Sequence, residues 1–200
     1  MTEISTIEKI RENDALLAHR AASGDSAARR QVAEKLFERV RTRVWYLASS
    51  DRDMDDIIQN SLIEILKSLH NFRGESTLDT WADRIVIRTA MRFFNNRKQK
   101  DPVFLEDPEG VIECKAFQLL SGSEIKAALQ KLLVKLPENQ RVVCVMRFAG
   151  EYSMEEIADI TGAPLNTVKD RLKTGKAKLL RMIQSDPVLS HWVKESDYVD

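Results

Sequence analysis

Apolar residues recur every three or four positions along most of this 200-residue chain, and few residues interrupt the pattern. Only seven glycines and five prolines are present, so long stretches can continue as unbroken helix. No segment shows the strict apolar–polar alternation that is typical of a half-buried strand. A chain of 200 residues with 43% hydrophobic content can bury one or two modest cores. The sequence therefore predicts an all-α protein: two small helical domains joined by a flexible linker, the second containing a helix-turn-helix.

Residues 1–100 are predicted to form the first domain, with four helices. Asp14 is expected to cap a short first helix, and Gly24 separates that helix from a longer second one. A third helix is expected from about Met54 to Leu69. Ser76 is expected to cap the fourth helix, because it directly precedes the next run of helical spacing. These four helices are expected to enclose one core.

Residues 101–122 interrupt the helical pattern. Prolines and a glycine break the periodicity there, and five acidic residues stand against one lysine. This segment is therefore predicted to be an acidic, flexible linker. Helical spacing returns in residues 123–185, which are predicted to form a second domain of four helices, and residues 186–200 are assigned to a C-terminal tail.

Capping residues mark the helix boundaries of the second domain. Pro137 suits the first turn of a helix, and Gly150 suits the end of that helix. Ser153 and Glu156 have the spacing of a capping box for the next helix. Asn166 is expected to cap the last helix.

Residues 153–182 have the spacing of a helix-turn-helix. Ala158 is a small residue where two helices cross, Gly162 can adopt positive φ in the turn, and Val168 can anchor the second helix. A plain helical hairpin has the same spacing, but the segment 166–181 also carries six basic residues against one acidic residue. Because phosphate neutralisation needs such cations, the segment is predicted to bind DNA. The candidate contact residues are Asn166, Thr167, Lys169, Asp170, Arg171 and Lys173, with Lys176 and Lys178 on phosphates.

Charge is segregated along the chain although Lys plus Arg and Asp plus Glu both total 31. The segment 84–100 holds six basic residues and no acidic one, whereas the segment 51–64 holds five acidic residues and one arginine. Blocks of opposite sign indicate at least two differently charged partners, although each block alone also fits a solvated helix face.

A basic stripe follows a loop that contains aromatic residues. Its members repeat every four positions and so share one helix face: Arg84, Arg88 and Arg92. A basic stripe beside aromatic side chains is typical of proteins that bind single-stranded or melted nucleic acid. Taken singly, Trp81, Phe93 and Phe94 are better interpreted as core residues than as residues that stack on bases.

No site for catalysis, a metal or a cofactor is predicted. Asp55 and Asp56 are adjacent, but no histidine or further carboxylate set accompanies them, so a protein-docking face is the preferred interpretation. Cys114 and Cys144 lie thirty positions apart without a CxxC motif, and the three histidines are scattered. No signal peptide or membrane-spanning run is present. A cytoplasmic, non-enzymatic protein without membrane insertion is therefore expected.

Four segments, taken in order, resemble a bacterial sigma factor of the extracytoplasmic-function (ECF) group in the sigma-70 family. They are 53–59 (DMDDIIQ), 71–77 (NFRGEST) with Trp81, 136–141 (LPENQR) and 166–172 (NTVKDRL). The resemblance runs from about residue 14 to residue 183. Two positions depart from the family pattern: Asp170 stands where a small residue is usual, and Thr174-Gly175 replaces a basic–small pair.

This resemblance implies a role for each candidate residue. The first domain would bind the clamp of core RNA polymerase through Asp55, Asp56 and Gln59. A loop that captures a flipped base of the promoter minus-10 element would contain Asn71, Phe72, Arg73, Ser76 and Thr77, with Arg84, Arg88 and Arg92 along the DNA backbone. The minus-35 element would be read by Asn166, Thr167, Lys169, Asp170, Arg171, Lys173 and Lys176.

The resemblance also implies partners and a location. Core RNA polymerase, through its clamp and flap, and promoter DNA are expected, together with the anti-sigma factor that the family commonly has. The expected location is cytoplasmic and nucleoid-associated, with the anti-sigma factor able to hold the protein at the membrane. Two alternatives stay open on the sequence. One is a classical regulator that binds palindromic duplex sites as a dimer, and the other is a helical enzyme with a metal on Asp55 and Asp56.

Overall fold

The computed structural model describes residues 2–98 and 123–190. The predicted linker, Cys114 and most of the predicted tail therefore lie outside the described residues. The described ranges contain eight α-helices, one short 3-10 helix and no strand, which confirms the all-α prediction. The chain divides into two compact units, residues 1–93 and residues 94–200.

Four α-helices and the 3-10 helix build the first unit. α2 packs against both α1 and α3, and α1 also packs against the 3-10 helix. The buried side of α2 follows the predicted helical spacing, because Val32, Leu36, Val40, Val44 and Leu47 are all almost fully buried. The elements are α1 (Thr2–Ala22), α2 (Ser26–Leu47), α3 (Asp51–Ser68), the 3-10 helix (Leu69–Asn71) and α4 (Leu78–Lys98).

Side chains that directly precede α2 and α3 cap these two helices. The Asp25 carboxylate accepts a hydrogen bond from the Ala28 backbone N–H at 3.0 Å. That hydrogen bond, aided by Arg20, holds the pKa of Asp25 below its ordinary value. The Ser50 hydroxyl accepts from the Asp53 N–H at 3.2 Å, so α3 begins at Asp51, three residues earlier than predicted.

Asp14 does not cap its own helix, so that prediction is wrong. It lies inside the long helix α1 and is only 1% exposed. Its carboxylate accepts a hydrogen bond from the backbone N–H of Leu78, the first residue of α4, at 2.8 Å, and it also pairs with Lys35 of α2. Asp14 therefore caps a helix that begins 64 residues further along the chain.

The prediction that Ser76 caps α4 is also wrong. Thr77, which directly precedes α4, accepts a hydrogen bond from the Thr80 N–H through its side-chain oxygen at 3.3 Å. Ser76 instead donates its hydroxyl hydrogen to the Thr77 carbonyl at 3.2 Å. The capping position belongs to the residue immediately before the helix, and Ser76 lies one residue too early.

Asp83 of α4 is buried and holds two arginines of α2. Its two carboxylate oxygens accept from Nε and Nη2 of Arg39 at 3.0 and 2.8 Å, a bidentate arrangement. Arg43 Nη2 donates to the same carboxylate at 2.8 Å. Since Asp83 is 1% exposed, these ion pairs tie α4 to α2 within the core.

Four helices form the described part of the second unit beyond α4. α8 packs against α5, α6 and α7, and α6 also packs against α7. The predicted apolar positions of α6, Val142, Val143, Val145 and Met146, are all buried. The elements are α5 (Ser123–Leu133), α6 (Glu138–Ala149), α7 (Met154–Thr161) and α8 (Leu165–Gln184).

Most of the predicted boundaries in this unit are confirmed. Pro137 directly precedes α6, and Gly150 directly follows it. The capping box is complete: the Glu156 N–H donates to the Ser153 hydroxyl at 3.1 Å, and the Ser153 N–H donates to the Glu156 carboxylate at 3.0 Å. Asn166 does not cap α8, so that prediction is wrong.

Pro164 takes the position before α8, and Asn166 lies exposed in the first turn of the helix. The fixed φ of a proline already suits the residue that leads into a helix, so α8 begins at Leu165 without a side-chain cap. The Asn166 side chain is thereby left at the surface.

Candidate nucleic-acid and protein interfaces

α7 and α8 form the helix-turn-helix that the sequence predicts. Gly162 directly follows α7 with φ of +66°, the left-handed conformation that glycine adopts without strain. Ile157 of α7 and Val168 of α8 are fully buried. Ala158, which follows Ile157 in α7, is half-buried. The turn and its apolar anchors therefore fix how α8 leaves α7.

One strip of α8 is exposed and polar. Asn166, Lys169, Asp170 and Lys173 are all exposed, and their spacing places them on one face of the helix. Lys176 continues this strip one turn further and is half-buried. The strip combines three lysines with a single carboxylate, so it can meet phosphates and the edges of bases.

Two further predicted contact residues lie beside this strip. Thr167 and Arg171, four positions apart on α8, are both half-buried. The structure therefore divides the seven candidates into five along the strip and two at its border. Long side chains at such a border can still reach outward, because an arginine buries its stem and exposes its head.

Gly175 positions α8, and sequence analysis noticed this glycine only as a departure from the family pattern. It is buried where α8 packs on α6. A Cβ atom at this position would lie 2.9 Å from Cys144 Sγ and 3.1 Å from Gln140 Cβ. A glycine inside a helix lowers stability by about 1 kcal/mol relative to alanine, which is the signal that could have marked a close helix contact.

The loop Asn71–Thr77, which leads from the 3-10 helix to α4, exposes some of its side chains to solvent and packs others against the protein. Asn71 and Arg73 are exposed, whereas Phe72, Ser76 and Thr77 are half-buried. The Phe72 ring packs edge-on against Trp81, with ring centroids 5.4 Å apart. Ser76 and Thr77 make the local hydrogen bonds at the start of α4 described above. The loop is thus anchored at its end and open at its middle.

Two of the three arginines in the predicted stripe of α4 are exposed. Arg88 and Arg92 are exposed and Arg84 is half-buried. Arg92 Nη2 lies 3.4 Å from a carboxylate oxygen of Glu64 on α3. The Arg92 side chain is 62% exposed, so this ion pair is weak and a phosphate can replace it. Among the nearby aromatic residues, Phe94 is buried as expected for a core residue, and Trp81 and Phe93 are half-buried.

α3 exposes a polar face. Asp55, Asp56 and Gln59 are exposed, and Ile57 and Ile58 between them are buried. The structure therefore brings the three predicted docking residues to one side of a helix whose other side enters the core.

Ile63 lies on this same face of α3, although the sequence pattern does not predict it as a site residue. It lies four residues after Gln59 and is 40% exposed, which is unusual for an isoleucine. Its position outside the buried spacing of α3 was the available signal. An exposed apolar side chain beside acidic ones suits a surface that binds another protein.

Within residues 2–98 and 123–190, no group of three or more histidine, cysteine, aspartate or glutamate residues could hold a metal ion. In the same ranges, no helix is long and apolar enough to cross a membrane. Cys144 is buried beneath α8. Burial raises the pKa of the Tyr46 phenol above its ordinary value.

Two family models match the chain. Residues 33–100 match the model described as Sigma-70 region 2, and residues 126–179 match the model described as Sigma-70, region 4. The first match includes α3, the loop and α4, and the second includes the helix-turn-helix.

The relatives that match the chain are also named as sigma factors of RNA polymerase. The RNA polymerase sigma factor SigV of Bacillus subtilis is 34% identical over 141 residues, which cover 68% of this chain and 78% of that protein. The ECF RNA polymerase sigma-E factor of Haemophilus influenzae is 26% identical over 182 residues, which cover 86% of this chain and 95% of that protein.

Solved structures agree on the fold. The sigma factor RpoE of Bartonella quintana, crystallised with the anti-sigma factor NepR, aligns with a TM-score of 0.56 at 21% identity and covers 78% of this chain and 97% of that chain. CnrH, solved with the cytosolic domain of CnrY, aligns with the same TM-score at 20% identity and covers 86% of this chain and 98% of that chain.

These matches remove the two alternatives that the sequence left open, a classical dimeric regulator of palindromic duplex sites and a helical enzyme with a metal on Asp55 and Asp56. The ordered resemblance of the four sequence segments is confirmed by two family models and by relatives that span most of the chain. The chain belongs to the sigma-70 family as a sigma factor of the ECF group, which directs RNA polymerase in promoter recognition and transcription initiation and is not an enzyme.

Proposed function

We propose that this sigma factor works through three separate surfaces. Residues 1–100 serve core polymerase and the minus-10 element, and residues 123–185 serve the minus-35 element. Residues 101–122 link them, and residues 186–200 form a tail. The observation that best supports this division is the exposed basic strip of α8, which follows the positive-φ turn at Gly162.

The α8 strip is proposed to enter the major groove of the minus-35 element. Asn166, Lys169, Asp170 and Lys173 are its exposed residues and the candidates for base edges, whereas Lys176 suits a phosphate. A carboxylate only accepts hydrogen bonds, so Asp170 favours the amino group of cytosine or adenine over the acceptor edge of guanine. Thr167 and Arg171 contact DNA from the border of the strip.

The loop Asn71–Thr77 is proposed to hold a flipped base of the minus-10 element. Asn71 and Arg73 point into solvent and offer donors, and the half-buried Phe72 offers an aromatic wall. Ser76 and Thr77 shape the end of the loop. Arg84, Arg88 and Arg92 then follow the backbone of the melted strand. The exposure of Arg88 and Arg92 supports this role.

The exposed face of α3 is proposed to dock on the clamp of core polymerase. Asp55, Asp56 and Gln59 supply acidic and polar contacts, and Ile63 adds an apolar contact that becomes desolvated on binding. The second domain is proposed to contact the flap of polymerase. At the clamp interface, Asp55 and Asp56 of α3 accelerate association with a basic surface of the partner.

An anti-sigma partner and a location are proposed by analogy with the neighbours. The structural neighbours from Bartonella quintana and the CnrH complex were both solved with a partner protein, an anti-sigma factor in the first case. We therefore propose that an anti-sigma factor binds this chain, that the sigma factor acts in the cytoplasm at the nucleoid, and that its partner can hold it at the membrane.

Charge reversal on α3 tests the docking proposal. In Asp56→Arg, the reversed charge should lower affinity for bacterial core RNA polymerase by about tenfold, as expected when one charged rim contact becomes repulsive. The matched control is Glu12→Arg, an exposed acidic residue on α1. Affinity is measured by fluorescence titration of labelled sigma factor, with run-off transcription as the second readout. Equal affinity for the two variants would contradict the assignment of α3.

A further inference from the structure

A side chain from α1 fixes the end of the loop Asn71–Thr77. Asp14 Oδ2 accepts a hydrogen bond from the backbone N–H of Leu78 at 2.8 Å, and Leu78 directly follows the last residue of the loop. The other carboxylate oxygen pairs with Lys35 on α2. Because Asp14 is 1% exposed, this contact lies behind the loop and out of reach of DNA.

α1 also supports the beginning and the middle of the loop. It packs against the 3-10 helix that ends at Asn71. Gly74, in the middle of the loop, has φ of +72°, and a Cβ atom at this position would lie 3.3 Å from the Ala15 Cβ. Ala15 is the neighbour of Asp14, so one turn of α1 lies against the loop at its centre and holds it at its end.

These contacts decide which loop side chains face solvent. Asn71 and Arg73 are exposed while Phe72 rests on Trp81. A loop lacks the repeating hydrogen bonds of a helix, so its shape depends on the elements behind it. Capture of a flipped base needs side chains held near their working geometry, and displacement by about 1 Å can cost much of the binding.

We infer that Asp14 is a positioning residue for minus-10 recognition: it holds the loop Asn71–Thr77 in the shape that captures a nucleotide without touching DNA. This inference rests on the proposed function of the loop. If so, α1 takes part in minus-10 recognition, although its sequence carries no DNA-binding signature. Lys35 supports Asp14 by neutralising its buried charge.

The test measures binding of holoenzyme to a fluorescent single-stranded oligonucleotide. The probe carries the non-template minus-10 sequence of the strongest promoter that wild-type holoenzyme transcribes from genomic DNA in vitro. Asp14→Ala should weaken probe binding by about tenfold and leave affinity for core polymerase within about twofold, since the loss of one helix cap moves the loop but keeps the α3 face. It should also reduce discrimination against a probe with the flipped base replaced.

Two further variants separate positioning from general stability. Asp14→Asn combined with Lys35→Met keeps an oxygen that can accept from the Leu78 N–H and removes both charges, so it should bind the probe within about threefold of wild type. Asp25→Ala removes a different acidic cap in the same unit, on α2, and should not alter probe binding. Thermal melting followed by circular dichroism verifies that each variant is folded.

Each outcome decides between the inference and the function on which it rests. Should Arg73→Ala and Phe72→Ala weaken probe binding while Asp14→Ala does not, the inference is wrong and the loop remains the reader. Should the loop variants also bind normally, the proposed function of the loop is wrong and the inference falls with it. If Asp14→Ala alone does not fold, Asp14→Ala combined with Lys35→Met replaces it, because this pair removes the oxygen that accepts from the Leu78 N–H without leaving Lys35 unpaired, and it is compared directly with Asp14→Asn combined with Lys35→Met.

Discussion

The two units hold their candidate DNA-binding elements in different ways. In the first unit the candidate reader is a loop, and buried carboxylates set its surroundings: Asp14 caps α4, and Asp83 joins α4 to α2. In the second unit the candidate reader is a helix, and close packing at Gly175 and Val168 sets its position. A loop therefore depends on a few directed polar contacts, whereas a helix depends on the fit of a surface. Different kinds of substitution should therefore destabilise the two units: loss of a buried carboxylate in the first and added volume in the second.

The largest effect is expected in the first unit, from Asp83→Ala. This change leaves the guanidinium groups of Arg39 and Arg43 without their shared carboxylate and should lower the free energy of unfolding by about 3 kcal/mol, the low end for a broken buried ion pair because Arg39 stays partly solvated. Chemical denaturation followed by tryptophan fluorescence reports this unit through Trp45 and Trp81, in a Trp192→Phe background.

A matched control is Glu38→Ala, which removes an exposed ion pair with Arg41 on the same α2 helix. This pair should contribute less than about 1 kcal/mol. If Asp83→Ala lowered the free energy of unfolding as little as the control does, the buried carboxylate would not be what holds α4.

In the second unit, Gly175→Ala should cost up to about 2 kcal/mol through overpacking. The added Cβ meets Cys144 Sγ at 2.9 Å, and the gain in helix propensity of about 1 kcal/mol offsets only part of the resulting strain of about 1–3 kcal/mol. Cys144→Ala makes room, so the double variant should recover part of the loss. Denaturation of both single variants and the double variant gives the coupling energy. Purely additive losses would contradict the close contact.

A smaller effect is expected from Ser153→Ala, which removes half of the capping box at the start of α7. The Glu156 N–H loses its acceptor, at a cost of about 1 kcal/mol. This change adds no volume beneath α8, so binding to a duplex minus-35 fragment should remain within about twofold of wild type. A loss of duplex binding well beyond twofold would mean that the cap at Ser153 also sets the position of α8.

Local signals were predictable from the sequence, and long-range polar contacts were not. Pro137, Gly150, Gly162 and the capping box act on the residues beside them, and all were placed correctly. Asp14 was misplaced because its backbone partner is 64 residues away, which no local pattern reveals.

The remaining errors have similar causes. The sequence predicts Ser76 and Asn166 as caps, but Thr77 and Pro164 occupy the positions directly before α4 and α8. Asp83 was not identified as a core residue, because an aspartate beside Arg84 has the pattern of a surface residue. Exposure along α3 and α8 followed from helical spacing alone, but the roles of those residues depend on partners that spacing does not describe.

The most direct test of two independent readers compares one variant from each unit on two probes. Holoenzyme with Arg73→Ala or with Lys173→Ala is titrated against the single-stranded minus-10 oligonucleotide and against a duplex minus-35 fragment, over a series of salt concentrations. Arg73→Ala should weaken only the first probe. Lys173→Ala should weaken only the second probe, and it should do so at every salt concentration because a contact to a base edge is lost. Equal weakening of both probes by either variant would contradict the division into a loop reader and a helix reader.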